Sequence, residues 1–294
     1  MALRFGGDYT YETSESRFES GGLITPTGPE YNWDAGVFGQ ADWSPVEPLT
    51  VNAALRFDEH SAFGGYPTGR LTAAWQLPSD TVLRAALGTG FRAPSNFELF
   101  DPFNGNPGLE PETSRSADVG VAQGFGDGRG QVSATLFWLE IDDLIEFDTA
   151  TQRFVQSDGT ADSTGVELAA GWALTDALTL TGGYTYTDAK QASGAPRDRV
   201  PRHDLTVRLD GAVTDRIDLG LGAQYVADYV DNTGAPSNGF DEDFLLVNAR
   251  VAYAVAEAAE LYVRAENLLD AQYQTARGFT APGQAFFFGV AGRF

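Results

Sequence analysis

The chain has 294 residues, enough for a substantial single domain, and 43% are hydrophobic, yet no run approaches the ~18 consecutive apolar residues of a membrane helix. A formal net charge of −22 argues against nucleic acid or anionic lipid held through a basic surface, and the absence of cysteine excludes disulfides and thiolate metal sites. Gly 34, Phe 20, Tyr 11 and Trp 5 against a single Met suit a strand-rich chain with tight turns and aromatic girdles.

Met1-Ala-Leu-Arg-Phe enters a strand at once, with no charged n-region, apolar h-region or cleavage site before it. A mature-type chain or a fragment is therefore expected. Period-two patterning predicts fourteen strands. In the first, Leu3, Phe5, Tyr9 and Tyr11 oppose Arg4, Asp8 and Glu12. The second places Trp33, Val37 and Trp43 opposite Asp34, Gln40 and Asp42, and the third sets Leu55 and Phe57 against Arg56 and Asp58. The same contrast recurs through Leu71–Trp75, Leu83–Leu87 and Ala117–Val121. Gln131–Ile141 is less clean, because Phe137, Leu139 and Ile141 share the face of Gln131 and Ser133. Val166, Leu168, Ala170 and Trp172 are set against Glu167. Leu178, Leu180, Tyr184 and Tyr186 oppose four threonines, and comparable strands follow near Leu205–Leu209, Ile217–Tyr225 and Leu245–Tyr253. In the last hairpin Leu261, Val263 and Ala265 alternate with Tyr262, Arg264 and Glu266, and Phe286, Phe288 and Val290 alternate with Phe287, Gly289 and Ala291.

The connections sort by length. Short ones fall near Pro45–Pro48, Pro78–Asp80, Gly126–Gly130, Leu174–Ala177, Val213–Arg216 and Ala256–Ala259. Long ones fall near Ser14–Glu30, Glu59–Pro67, Phe91–Thr113, Phe147–Asp162, Lys190–Pro201, Asp231–Asp243 and Ala271–Pro282. A soluble all-β sandwich has no reason to alternate its loops so strictly, whereas outer-membrane barrels have short periplasmic turns and long external loops. The expectation is an all-β fold: an antiparallel up-and-down transmembrane β-barrel of about 14 strands in one domain. It is either part of a larger barrel or a smaller closed one, with both termini periplasmic.

Gly88–Ser116 reads GTGFRAPSNFELFDPFNGNPGLEPETSRS, and here the chain resembles the TonB-dependent outer-membrane receptors. Phe91, Arg92, Ala93, Pro94, Glu98, Leu99, Asn106, Pro107, Leu109, Pro111, Glu112 and Ser114 match that family's pattern. IDDLIEFDTATQRFVQ with TGVEL, and AENLLDAQYQTARGFTAPGQAFFFGV containing Asn267, are further matching stretches. The IDDLI loop and the QYQTARGF ending look most like the cobalamin-receptor subgroup. Gly289 and Phe294 resemble the C-terminal signal of bacterial outer-membrane barrels, from which Gly292 departs.

The resemblance implies capture of a scarce metal chelate, cobalamin or a ferric siderophore, at external loops. It also implies uptake driven by an inner-membrane energy-transducing complex acting on an N-terminal plug, inside a barrel of twenty-two strands. No plug is seen in the sequence, so that complex is a partner only where a plug is supplied. The expected surroundings are outer-membrane lipid and lipopolysaccharide.

Among the matched residues, Arg92 and Glu112 are expected to pair at a loop base, with Pro94 and Pro107 stiffening the loop and Asn106 and Asn267 structural. Gly88–Ala93 also fits a dinucleotide fingerprint, but Pro94 follows at once and no helix pattern appears, so that match is chance. Phe100, Phe103, Asn104, Tyr229, Asp231, Asn232, Phe240 and Phe279 are candidate ligand contacts in external loops, against interfacial and loop-packing aromatics as the plainer reading. Asp228, Asp231, Asp241, Glu242 and Asp243 supply oxygen ligands suited to Ca²⁺, but their spacing is not an EF-hand and a solvated acidic loop is the simpler reading. His60 and His203 are the only histidines, no G-x-S-x-G is present, and no enzyme activity is expected. Two alternatives to a receptor stay open: a plug-less, cation-preferring pore, or a barrel fragment whose edges need missing strands.

Overall fold

The computed structural model describes residues 1–20, 23–231 and 240–292. Phe294 and Asn232 lie outside them, as do the side chains of Phe240, Asp241 and Glu242. Strands β1 (Ala2–Ser20), β2 (Leu23–Val46), β3 (Leu49–His60), β4 (Gly64–Gln76) and β5 (Thr81–Arg92) lead to a one-turn helix, α1 (Asn96–Phe100). There follow β6 (Glu112–Phe125), β7 (Gly130–Asp142), the short pair β8 (Ile145–Asp148) and β9 (Arg153–Gln156), β10 (Thr160–Ala173) and β11 (Leu178–Lys190). The chain continues through β12 (His203–Thr214), β13 (Ile217–Asp231), β14 (Phe240–Ala256), β15 (Ala259–Glu266), the short pair β16 (Gln274–Ala276) and β17 (Phe279–Thr280), and β18 (Ala285–Gly292).

Fourteen of these strands form one antiparallel sheet in the order β1-β2-β3-β4-β5-β6-β7-β10-β11-β12-β13-β14-β15-β18, while β8–β9 and β16–β17 are separate ribbons in the connections. The fourteen expected strands are thus the strands of the main sheet. β1 and β18 are its two edges and do not pair, so a smaller closed barrel is corrected to an open sheet. Each edge offers a row of backbone N–H and C=O groups to a strand outside the described set.

Side-chain alternation gives the sheet two different faces. Opposed residues share a face, so Leu205, Tyr184, Leu168, Ala134 and Val121 lie in one row. This apolar face carries the large exposed side chains, including Leu3, Phe5, Leu55, Leu136 and Val290. Trp172 sits at one end of β10 and Thr164, opposite Trp138, eight residues away. Eight residues span roughly 27 Å of strand, or roughly 21 Å at a tilt of about 40°, close to the ~25 Å apolar band of a membrane barrel.

The polar face is laced with charge pairs: Arg4–Asp42, Arg56–Asp8 and Arg250–Glu260 between strands, and Arg264–Glu266 along β15. The Arg56 guanidinium reaches from β3 across β2 to β1. It donates to both carboxylate oxygens of Asp8 at 2.8 Å and through Nε to Asp58 at 2.8 and 2.9 Å. It passes directly over Gly36, where a Cβ would overlap the guanidinium. The glycine is therefore what lets one arginine cross β2 and join β3 to β1.

Two expected loops are strands instead. Pairing of β1 with β2 continues past Ser14–Glu30 to Ser20 and Leu23, with one register shift between Ser14 and Ser16. Stacking of Tyr9 on Trp33 and Tyr11 on Tyr31 keeps the two chains in step. Glu59–Pro67 reduces to a turn at 61–63, because Gly64 at φ 77° reverses the chain tightly and the Ser61 N–H donates to the Trp33 carbonyl. The other long connections gather at one end of the sheet and the short turns at the other.

Candidate functional site

The best-organised region at the long-loop end is the connection 93–111 and the β8–β9 hairpin folded against it. Ser95 begins it as an N-cap: its hydroxyl accepts from the Glu98 N–H, and the Glu98 carboxylate accepts from the Ser95 N–H at 2.7 Å. This Ser-x-x-Glu capping box fixes α1 although the helix is only five residues long. It turns Leu99 inward, where Leu99, Leu109 and Ile145 form a buried cluster flanked by Phe63, Phe100 and Phe154.

Arg92, the last residue of β5, closes the base. Its Nε and Nη2 donate to the two oxygens of Glu112, the first residue of β6, at 2.8 and 2.6 Å, and its Nη1 reaches Glu98 at 3.0 Å. Glu112 is buried and also accepts from the Ile145 N–H at 2.8 Å. Burial works to raise the Glu98 carboxyl, but donors from Arg92 and from the Ser95 backbone and hydroxyl outweigh it and hold the group below its ordinary value.

The asparagines bind the loop to the hairpin. Asn104 donates to the Gln152 carbonyl at 2.6 Å and Asn106 to the Phe154 carbonyl at 3.0 Å. Pro94 is buried and Pro107 exposed. Asn32 of β2 meets Asn96 of α1, which ties the loop to the first hairpin.

A second centre lies on β13 and the last long connection. Asp231 is fully buried; it accepts from Arg199 Nε and from the Arg277 N–H, each at 2.9 Å. Tyr229 packs with Val226 and Phe244 and donates its hydroxyl to the Thr275 carbonyl at 2.5 Å. Asn267, with φ 48°, accepts from the Ala271 N–H at 2.8 Å and donates to the carbonyls of Ala271 and Pro282 at 2.9 and 3.3 Å. It pins both ends of the connection with one side chain.

The proposed ligand contacts therefore divide. Phe100 belongs to the first cluster and Tyr229 to the second, while Phe103 and Phe279 are exposed in separate connections. The acidic residues are likewise engaged separately. Asp243 accepts from the Asp228 N–H and the Tyr225 hydroxyl, Asp228 faces Arg202 and His203, and Asp231 is held by Arg199. Among the described residues no group of three or more His, Asp or Glu side chains is arranged to hold a metal ion.

Sequence reasoning missed Glu98 as a ligand of Arg92, the Arg199–Asp231 pair and the Leu99–Leu109–Ile145 core. The Ser95-x-x-Glu98 box was a readable signal for the first. The Arg199–Asp231 pair joins residues 32 apart through a loop crossing, which no local pattern encodes.

The family model described as "TonB dependent receptor-like, beta-barrel" matches residues 2–268. The Vibrio cholerae "Vitamin B12 transporter BtuB" is 27% identical over 261 residues, covering 86% of this chain and 41% of that protein. The Vibrio vulnificus protein of the same name is 30% identical, covering 84% and 40%. The "Iron-regulated outer membrane virulence protein" of Vibrio cholerae is 24% identical, covering 98% and 48%. The chain thus spans less than half the length of these relatives. Among solved structures, "Copper transporter OprC" superposes with a TM-score of 0.80 at 20% identity, over 99% of this chain and 54% of that one. The ferric enterobactin receptor PfeA of Pseudomonas aeruginosa gives 0.79 at 16%, over 99% and 51%. With its fourteen-stranded sheet and a family match over residues 2–268, the chain belongs to the TonB dependent receptor-like β-barrel family.

Proposed function

We propose that this chain is wall and external loops of an outer-membrane receptor that takes up a metal chelate, of the corrinoid or ferric-siderophore class. The observation that carries the reading is kinship with vitamin B12 transporters at 27–30% identity over 84–86% of the chain. In this reading the apolar face meets lipid, the charged face lines the lumen, the long connections are external and both sheet edges are periplasmic at their free ends. Capture belongs to the exposed loop residues around the two buried clusters, with Phe97, Phe103, Phe147 and Phe279 among the accessible aromatics. A plug inside the completed barrel, coupled to an inner-membrane energy-transducing complex, would supply the gate and the work. The chain is then no enzyme.

A passive pore needs a closed wall, and the open edges at β1 and β18 favour a barrel completed by further strands. The test is titration of the full-length receptor with corrinoids and with ferric catecholates, followed by intrinsic fluorescence quenching. Saturable binding of one class, weakened by Phe103→Ala or Phe279→Ala, is expected. Failure of both classes to bind overturns the reading.

A further inference from the structure

The apolar face is not uniformly bulky. Across β6, β7, β10, β11 and β12 it is indented by a groove of about 450 Å³. Its floor is made by Ala134, Ala170 and Gly182, and its walls by Leu168, Tyr184 and Val207. These residues fall on two adjacent rows of the sheet, Leu205-Tyr184-Leu168-Ala134-Val121 and Val207-Gly182-Ala170-Val132-Gln123. At Gly182 a Cβ would meet only the Thr206 carbonyl oxygen, at 3.6 Å, so the space above it is open.

The next row toward the short turns ends the groove with an aromatic pair. Phe125 and Trp172 lie with ring centroids 4.8 Å apart. Immediately beyond them is Arg129, whose guanidinium donates to the carbonyls of Ala173 and Leu174 at 3.0 and 3.1 Å and so bridges two neighbouring turns. Arg129 is exposed and makes no ion pair among the described residues. Two exposed carboxylates lie in the same two turns: Asp127 in that of Arg129 and Asp176 in the turn it bridges to. An apolar slot, an aromatic rim, a guanidinium that holds two turn carbonyls but has no carboxylate partner among the described residues, and the carboxylates of the same turns follow one another along the strands.

We propose that this is a binding site for one zwitterionic phospholipid of the leaflet at the short-turn end. An acyl chain lies in the groove over Gly182 and Ala170, its phosphate meets Arg129, and its ammonium group meets Asp127 or Asp176. Charge selects the occupant. A headgroup with phosphate alone satisfies Arg129 but is repelled by the two carboxylates, whereas one carrying both charges satisfies all three. The aromatic pair sits where amphipathic rings favour the lipid–water boundary. The proposal rests on the apolar face being the lipid-facing one.

Native mass spectrometry of the full-length receptor released from micelles tests it, with phosphatidylethanolamine and phosphatidylglycerol of identical acyl chains as probes. One retained phosphatidylethanolamine is expected, with affinity falling about tenfold in Gly182→Leu, which fills the slot, and in Arg129→Gln, which removes the phosphate partner. Retention unchanged by both substitutions, or phosphatidylglycerol held as tightly as phosphatidylethanolamine, overturns the proposal. Arg129 lies in an exposed turn, so its variant stays informative should Gly182→Leu fail to fold. Flotation with vesicles separates the two levels. A full-length receptor that does not float refutes the lipid-facing reading itself, while one that floats yet ignores both substitutions refutes only the site.

Discussion

Arg92 and Glu112 meet in a forked pair at 2.6 and 2.8 Å, and the same Glu112 oxygen that takes Arg92 Nη2 also accepts the Ile145 N–H. One carboxylate thus joins the end of β5, the start of β6 and the β8–β9 hairpin. Glu112→Ala removes all three links and leaves Arg92 with Glu98 alone. The expected loss is about 1–3 kcal/mol, below that of a fully buried pair because Arg92 is half exposed. Limited proteolysis within 93–111 and 145–156 should quicken together; unchanged cleavage of the hairpin would show that Glu112 does not couple them.

Asn267 holds its connection from both ends while sitting at φ 48°. Asn267→Ala loses these bonds and places a residue without a local hydrogen bond in the left-handed region. A cost of roughly 2–4 kcal/mol is expected in urea titration of the refolded barrel. Asn267→Gly removes the bonds but not the backbone freedom, so it should cost less than alanine. The reverse order would contradict the role assigned to the backbone.

Gly36 supplies the space that Arg56 crosses to reach Asp8. Gly36→Ala should displace the guanidinium and cost about 1–3 kcal/mol by overpacking. Arg56→Met in the Gly36→Ala background tests the mechanism. The alanine should then be nearly silent, and an undiminished penalty would place its cause elsewhere.

The Glu98 carboxyl is held below its ordinary value, so folding of the loop favours the ionised form. That contribution is complete above the unfolded-state value, roughly pH 4–5, and is lost as the pH falls through the lower folded-state value. Protection of the Leu99 and Asp101 amides, relative to their intrinsic exchange rates, should therefore fall in acid, beginning below roughly pH 4–5. In Glu98→Gln that protection should be lower at neutral pH and flatter with pH. A variant that keeps the wild-type profile would remove Glu98 as the titrating group.

Val119 projects from the apolar face and pairs with Leu136, near the middle of the sheet. Val119→Arg should destabilise a membrane-inserted barrel by about 2–4 kcal/mol, whereas an arginine at Thr135 on the polar face should cost little. Equal effects in refolding into vesicles would mean that the two faces are not lipid and lumen.

The strands were legible because a two-residue period survives wherever one face is apolar and the other charged, as in Leu55-Arg56-Phe57-Asp58. Where composition turns polar the pattern fades although pairing continues, which is why Ser14–Ser20 and Leu23–Glu30 read as loop. The loop interior was less legible. Arg92 and Glu112 stood out because they flank one segment, but Glu98 reaches Arg92 only through a capping turn, and Ile145 joins Leu99 and Leu109 from another connection. Tyr229 looks like an exposed aromatic in an acidic stretch, yet the bulge between Val226 and Tyr229 turns it onto Phe244. Contacts made between connections, rather than along them, carry no period and cannot be counted off a sequence.

Planar-bilayer recording of the 294-residue chain alone separates a receptor wall from a pore. An open sheet whose β1 and β18 edges await further strands predicts no steady conductance, only irregular leak or none, with association through the edges. A stable, cation-selective unitary level would mean that the fourteen strands close on themselves, and it would contradict the receptor-wall reading.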